Sequence, residues 1–487
     1  MSKGKILLIY PSYSYPRKSP PLGLAYLAAY LEKFGYEPLI VDMNTSLMSD
    51  VQLATLVRGS RWLYVGISFM TNQFSEAARL AELIKSATPS IQIVAGGPHA
   101  SSIPERTLTE IPQLDVVVRG EGEETARDIS ECLSNNCSLE TIPGISLRCH
   151  GKIVHNIDRE LIANLDDLPF AAWKHLDVEK YNIFKIGVGK DAPAFPILTS
   201  RGCPNHCIFC DSHTIFHRVF RARSARNIFQ EIMYLHENYG TTEFDFVDDL
   251  ITVLRPRILE LCDLMLGSGI PFRWMANARV NTVDHELLKA MKNAGCVRVD
   301  FGVETGDPEV RRVMKKNITE KQIRDAHRIS QELGLSTGTF TMVGNLGETF
   351  NSIRMTEQLL AEVGEDVVIS IACPYPGTEL YHIAKEKKLI NTEDWSRYVT
   401  SPTYITDYRP VMRTDDMSED QILKSFYYLH SKFAARKFKI RFGRYFYLNY
   451  HFYSEWVLRG GLLRRVRMAL RLISARVKGS NMAKGSV

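Results

Sequence analysis

The sequence has no stretch of about 18 uninterrupted apolar residues, which argues against a spanning helix. Its opening, MSKGKILLIY, joins basic residues to a short apolar run without a small-residue cleavage site, so no secretory leader is expected. There is no short-period repeat and no low-complexity tract. With 45% hydrophobic and 24% charged residues, disorder is not the default. Cysteine is scarce: nine in all, three of them within 203–210 and the others at Cys132, Cys137, Cys149, Cys262, Cys296 and Cys373. That distribution suits reduced thiols in a cytoplasm and one metal site, not a disulfide framework. A chain of 487 residues suits two or three domains.

Acid is nearly absent from one region. Between Lys432 and Lys484 there are 14 Lys/Arg and a single acid, Glu455, while the remainder holds 46 basic and 54 acidic residues. A mildly acidic body therefore carries a strongly basic tail, which attracts anions such as a membrane surface, nucleic acid or an acidic substrate.

Short Val/Ile-rich runs alternate with helical stretches along the first third. KILLIY (5–10), PLIVDMN (38–44), WLYVGISFM (62–70), IQIVAGG (91–97) and LDVVVRG (114–120) read as strands, with helices between them. This pattern predicts a doubly wound, Rossmann-like parallel sheet over 1–135. Ligands of such folds sit at the carboxyl ends of the strands, here Ser68 and Thr71, Gly96-Gly97-Pro98 and Gly120-Glu121-Gly122-Glu123. No GxGxxG follows the first strand, which disfavours a dinucleotide. Residues 136–192 read as a linker with a small strand pair, GISLRCHGKIVHN. A second β/α series over 193–400 has six strand candidates: FPILTS (195–200), EFDFVD, FRWMANARV, VRVDFGVE, TGTFTMVG and DVVISIAC. It predicts a complete or partial parallel barrel with chemistry at the strand carboxyl ends. Residues 401–487 are expected to be mainly helical.

The segment TSRGCPNHCIFCD (199–211) places Cys203, Cys207 and Cys210 in a loop directly after the first strand of that series. Spacings of four and three let one loop wrap three corners of a [4Fe–4S] cluster, leaving one iron open. A structural zinc site would need a second short Cys/His pair, and a redox dithiol would not explain Cys203. His206, adjacent to Cys207, is badly aimed for a fourth ligand.

Cys-x3-Cys-x2-Cys after the first strand of a β/α barrel resembles the radical S-adenosylmethionine (SAM) superfamily, over about 190–400. The resemblance implies that the open iron chelates SAM and that the reduced cluster cleaves it to a 5′-deoxyadenosyl radical. It also implies an electron donor of the flavodoxin or ferredoxin type. By the same resemblance Phe209 lies beside the adenine and Asp248-Asp249 near the SAM amino end. Arg279 ends the third strand, and Glu304, in Gly302-Val303-Glu304-Thr305, matches the ribose-binding position. Thr341–Gly344 and Cys373–Thr378 match the fifth and sixth strand ends. Read from the residues alone, Asp248 or Asp249 could instead cap the next helix, and Arg279 could be a structural ion-pair partner.

A doubly wound domain ahead of this core is similar to the cobalamin-binding class of the superfamily, through PPLGLAYLAAYLE, VDMN, AGGPHAS and VRGEGEE. That implies cobalamin contacts from Ser68, Thr71, Gly96, Gly97 and Glu121. The stretch equivalent to the Asp-x-His-x-x-Gly cobalt motif is Asp42-Met43-Asn44-Thr45-Ser46-Leu47, which has no histidine, so a cobalt without a histidine lower ligand is expected. His99 is expected as a hydrogen-bonding or surface residue. The domain could also be scaffold alone. The resemblance implies methylation of an unactivated carbon. The alternatives are a radical cyclase or rearrangement enzyme on a lipid-like or ring substrate, and a non-catalytic cobalamin/iron–sulfur sensor.

The tail joins nine aromatics between Phe438 and Trp456 to a basic amphipathic segment. Arg464, Arg467, Arg471 and Lys478 form one face, and Leu462, Val466, Leu470, Ile473 and Val477 the other. Peripheral contact of 432–487 with the inner face of the membrane is expected of an otherwise cytoplasmic protein. Nucleic acid is disfavoured because aromatic and basic residues come in successive blocks.

Overall fold

KILLIY is buried along its middle because helices cover both faces of the sheet it joins. The computed structural model describes residues 2–13, 19–181, 194–364, 366–402 and 407–442, with backbone alone from 434 onward. The first sheet holds β1 (Lys5–Tyr10), β2 (Glu37–Asp42), β3 (Trp62–Ser68), β4 (Ile93–Gly96), β5 (Val116–Val118), β6 (Ile145–Cys149) and β7 (Lys152–His155). Their order is β2-β1-β3-β4-β5-β6-β7, parallel through β5 and antiparallel for the last two. The hairpin read as part of a linker therefore extends the first sheet. Val116, Val117 and Val118 pair with Leu147, Ser146 and Ile145, burying the inner side of β6. Helix Phe74–Ala87 shows why these crossovers fold: Ala77, Leu80, Ala81 and Ile84 share one buried face.

The second series begins with β8 (Phe195–Ile197), followed by a two-residue ribbon, β9 (Ser200–Arg201) with β10 (Arg221–Ala222). FPILTS is thus not one strand. The chain leaves the barrel after Ile197, and the ribbon closes the base of the cysteine loop. The barrel continues with β11 (Glu243–Phe246), β12 (Arg273–Ala278), β13 (Cys296–Glu304), β14 (Ser336–Val343) and β15 (Asp366–Ile371). Six parallel strands in the order β15-β14-β13-β12-β11-β8 form a partial barrel.

One apolar core runs through both sheets, joining helix Leu22–Lys33 of the first to Phe195 and Phe244 of the second. Trp173, from the crossing segment, bridges them with its ring edge-on to Phe195 at 4.9 Å. Such an aromatic pair contributes about 0.5–1.5 kcal/mol beyond area burial. Helix Glu419–Phe442 packs Ile422, Phe426 and Leu429 with Val343, Ile369 and Ile371 at the end of the barrel sheet. Cys132 and Cys137 are brought side by side where a helix end turns back, the Cys137 N–H donating to the Cys132 carbonyl at 3.0 Å. No described helix is long and apolar enough to cross a membrane. The amphipathic segment and most of the aromatic run lie outside the described residues.

Candidate active site

The cysteine loop leaves β9 through Gly202, whose φ of +81° and lack of Cβ are both required, since a Cβ would overlap the Val219 carbonyl. Cys203 Sγ accepts from Asn205 Nδ2 at 3.2 Å. Cys207 is buried; Arg279 Nη1 lies 3.8 Å from its sulfur, and the Lys315 carbonyl 3.9 Å away. Burial pushes the Cys210 thiol up to about 12. Among the described residues, Glu140, Cys149 and His150 are the only three such ligand groups all lying within 4.8 Å of one another, so the three loop thiols do not all meet that distance. A tetrahedral zinc would hold its sulfurs about 3.8 Å apart, from a Zn–S bond of about 2.3 Å. Three soft donors in one loop with a neighbouring guanidinium fit an anionic cluster.

The ends of β12 and β13 gather around that loop. Glu304 takes a left-handed φ of +67°, uncommon for a residue with a side chain and a recurrent feature of functional sites. Its Oε1 accepts from Lys316 Nζ at 2.7 Å, with both side chains only 8% exposed. Lys316 Nζ also stands 5.8 Å from the Phe209 ring centroid, and its carbonyl accepts from Arg279 Nη2. Cys207, Phe209, Arg279 and Glu304 are thus brought together, with Lys316, which sequence reading missed, at the centre. A basic pair in a polar loop carries no signal that one lysine will be buried.

The two aspartates after β11 part company. Asp248 is almost fully buried and accepts from the Thr199 and Ser200 N–H groups at 2.6 and 3.1 Å and from the Thr199 hydroxyl. Burial outweighs the nearby Arg257 and these bonds, pushing its carboxyl above the usual range. It braces the segment leading to the cysteine loop and does not line the cavity. Asp249 is exposed, accepts from the Ser212 hydroxyl and lines the cavity.

That cavity, about 720 Å³, lies between the two sheets. Ser68, Gly96, Gly97 and Glu121 line it from the first, and Asp249, Ser212 and Phe216 from the cysteine-loop side. A slot continues past Leu8, Tyr64, Gly66, Val94 and Val118, and a Cβ on Gly66 would come within 2.9 Å of Leu8. Gly97 has φ +91°, and its Cβ would fall 2.8 Å from the Phe69 carbonyl. A glycine-paved mouth with an apolar slot fits the ring and nucleotide tail of cobalamin. The Asp42–Asn44 turn is closed on itself: Asp42 accepts from Asn44 N at 2.8 Å and from the Tyr181 hydroxyl at 2.9 Å.

Thr71 does not line the cavity. Its hydroxyl meets His99 Nδ1 at 3.2 Å, behind the mouth. His99 is packed among Phe69, Phe74 and Trp395, and burial lowers its pKa to about 3. Glu121 is already engaged. It pairs with Arg201 and Arg221 at 2.7 Å each and accepts the Ile162 N–H at 2.8 Å. The sequence reading also missed Glu348, fully buried and accepting from the Gly344 and Asn345 N–H groups, its carboxyl pushed up to about 7 by burial. Asp245, whose carboxyl burial raises to about 6, lines the cavity from β11.

Residues 14–130 match the B12 binding domain and residues 197–360 the radical SAM superfamily. An uncharacterized methyltransferase of Pyrococcus horikoshii is 32% identical over 428 residues, 86% of this chain and 90% of the relative. An anaerobic magnesium-protoporphyrin IX monomethyl ester cyclase of Rubrivivax gelatinosus is 27% identical over 86% of this chain and 75% of the relative. The structure of OxsB, a cobalamin-dependent SAM radical enzyme with aqua-cobalamin and SAM bound, shares the fold. Its TM-score is 0.71 at 18% identity, covering 89% of this chain and 67% of that one. Three thiols at a barrel mouth facing a glycine-paved sheet edge, in a chain that matches both domains in this order, mark a member of the radical SAM superfamily in the branch that carries a B12-binding domain.

Proposed function

We propose that the protein uses SAM and cobalamin to methylate an unactivated carbon of a small molecule with an apolar portion. The observation that carries this reading is one cavity with two owners: Ser68, Gly96 and Gly97 of the first sheet face Ser212 and Phe216, which follow the cysteines. When bound, the cluster and SAM supply a 5′-deoxyadenosyl radical, and cobalamin supplies the methyl group. Cys203, Cys207 and Cys210 would hold the cluster and leave one iron for SAM. Arg279 places a cation at Cys207 against the negative charge of a thiolate-bound cluster. Phe209 flanks the adenine. Glu304, held through Oε1 by Lys316, offers its other oxygen to a ribose hydroxyl. Asp249 receives the SAM amino end, while Asp248 acts only by holding Thr199 and Ser200. Gly96, Gly97 and Ser68 admit cobalamin closely, and Thr71 supports that loop through His99.

A second reading, ring closure by the same radical, is supported by the cyclase relative. The reduced, reconstituted protein is expected to release 5′-deoxyadenosine from SAM; an intact cluster releasing none would leave the sensor reading standing. Product mass separates the two enzymes, since methylation adds a CH₂ unit and cyclisation does not. A flavodoxin- or ferredoxin-type protein would supply the electron. Residues 432–487 would hold the enzyme at a membrane surface; equal liposome flotation with and without them would remove that part of the proposal.

A further inference from the structure

The cavity loop after β5 and the strand before the first cysteine are bolted together by buried charge. Arg201, two residues ahead of Cys203, points its two terminal nitrogens at different carboxylates. Nη1 meets Glu121 Oε1 at 2.7 Å, and Nη2 meets Glu123 Oε1 at 2.5 Å. The three side chains are 7%, 4% and 8% exposed. Arg221, which pairs with Arg201 across the β9–β10 ribbon, takes the other oxygen of Glu121 at 2.7 Å and the Ile162 carbonyl at 2.7 Å. Both ends matter to the cofactors, because Glu121 and Glu123 line the cavity while Arg201 leads into the cluster loop.

Adhesion does not require this arrangement. The continuous apolar core through Trp173 and Phe195 already joins the two sheets. Buried ion pairs recover little beyond their desolvation cost, and apolar replacements of similar volume often hold as well. Here the cost is visible: Arg221 Nε and Nη2 are buried without hydrogen-bond partners. What a guanidinium fork across two carboxylates adds is direction, since it fixes rotation as well as distance, which a lysine cannot do.

We infer that the Arg201 fork to Glu121 and Glu123 is a positioning device that sets the cobalamin-facing loop in register with the cluster loop. It rests on the two-cofactor reading above. Chemistry shared by two cofactors across a gap tolerates little drift, and a misplacement of about 1 Å can cost on the order of 100-fold. Arg201, Glu121 and Glu123 are positioning residues and touch no reacting atom.

The test uses the full chain with reconstituted cluster and bound hydroxocobalamin, as wild type, Arg201→Lys and the milder Glu123→Gln. Iron, sulfide and cobalamin contents are measured first. The paramagnetic interaction between reduced cluster and Co(II) is then read by EPR, and the two SAM products are quantified separately. In Arg201→Lys, cofactor contents and 5′-deoxyadenosine release are expected to stay within about twofold of wild type. S-adenosylhomocysteine, which reports methyl transfer out of SAM, falls ~10-fold or more. The spin interaction weakens or broadens, and Glu123→Gln lies between. Unchanged products and spin interaction in both variants overturn the inference. So does a parallel fall of both products with cofactor content, which assigns the charges to folding alone. Wild type that binds no cobalamin would instead defeat the function proposed above.

Discussion

At the carboxyl ends of β3 and β4 the chain offers the cavity small uncharged residues, Ser68, Gly96 and Gly97. At the ends of β12 and β13 it buries Arg279 and Glu304, with Lys316 from a later loop beside them. The topology is the same, parallel strands opening at their carboxyl ends, but the physical means differ. A large corrinoid with amide arms would be held there by area and close backbone approach, which small residues permit. A cluster bearing thiolates and a zwitterionic SAM present concentrated charge, so charges are placed and then fixed by partners. The carboxylates at the first edge, Glu121 and Glu123, are paired by Arg201 and Arg221 from the second region.

Substitutions on each side sharpen the contrast. The largest effect is expected from Cys203→Ala, Cys207→Ala or Cys210→Ala: loss of cluster iron and of 5′-deoxyadenosine, with cobalamin still bound to the first sheet. Retained SAM cleavage in any of these would break the assignment. Next, Lys316→Met strands the Glu304 carboxylate in a buried site and is expected to cost about 3–5 kcal/mol in denaturant unfolding. Glu304→Gln in the same background should recover part of it. On the other side, Gly97→Ala forces a Cβ toward the Phe69 carbonyl at positive φ. Strain of about 1–3 kcal/mol should appear as lower stability in denaturant unfolding, and the methyl group in the cavity lining as weaker cobalamin binding, with 5′-deoxyadenosine release unchanged. Equal effects on both readouts would dissolve the distinction between the regions.

Over pH 7 to 5 a more modest effect is expected behind the cavity mouth. The folded pKa of His99 lies at about 3, below its unfolded value, so the unfolded chain binds the proton more readily. The stability this group protects is fully present above about pH 6.5 and falls by about 1.4 kcal/mol per unit as pH drops toward 3. Thermal midpoints of wild type and His99→Gln between pH 7 and 5 should converge as pH falls; parallel curves would show that His99 does not titrate on unfolding.

Much of this was legible because it depends on local spacing. Parallel strands reveal themselves as continuous apolar runs, since both faces are covered. Three cysteines in one loop announce a cluster, since one loop can reach three corners. Errors came where partners are remote. GISLRCHGKIVHN read correctly as a strand pair, but as part of a linker, because its pairing with Val116–Val118 is a tertiary fact. Asp248 and Asp249, adjacent in sequence, project oppositely from the end of a strand, and the buried one serves Thr199 and Ser200. Thr71 turned to His99 and Glu121 to two arginines.

By itself the sequence determined the order of the two β/α series, the three-cysteine loop after the first strand of the second, and the absence of a histidine at Asp42–Leu47. All of these follow from composition and spacing within short windows. Only the tertiary structure decided which charges are free and which are spent. Lys316 and Glu304 are separated by eleven residues, and Arg201 and Glu121 by 79, yet each pair lies within hydrogen-bond reach. Burial makes an unpaired charge costly, so partners are found in space, and spacing along the chain does not reveal them.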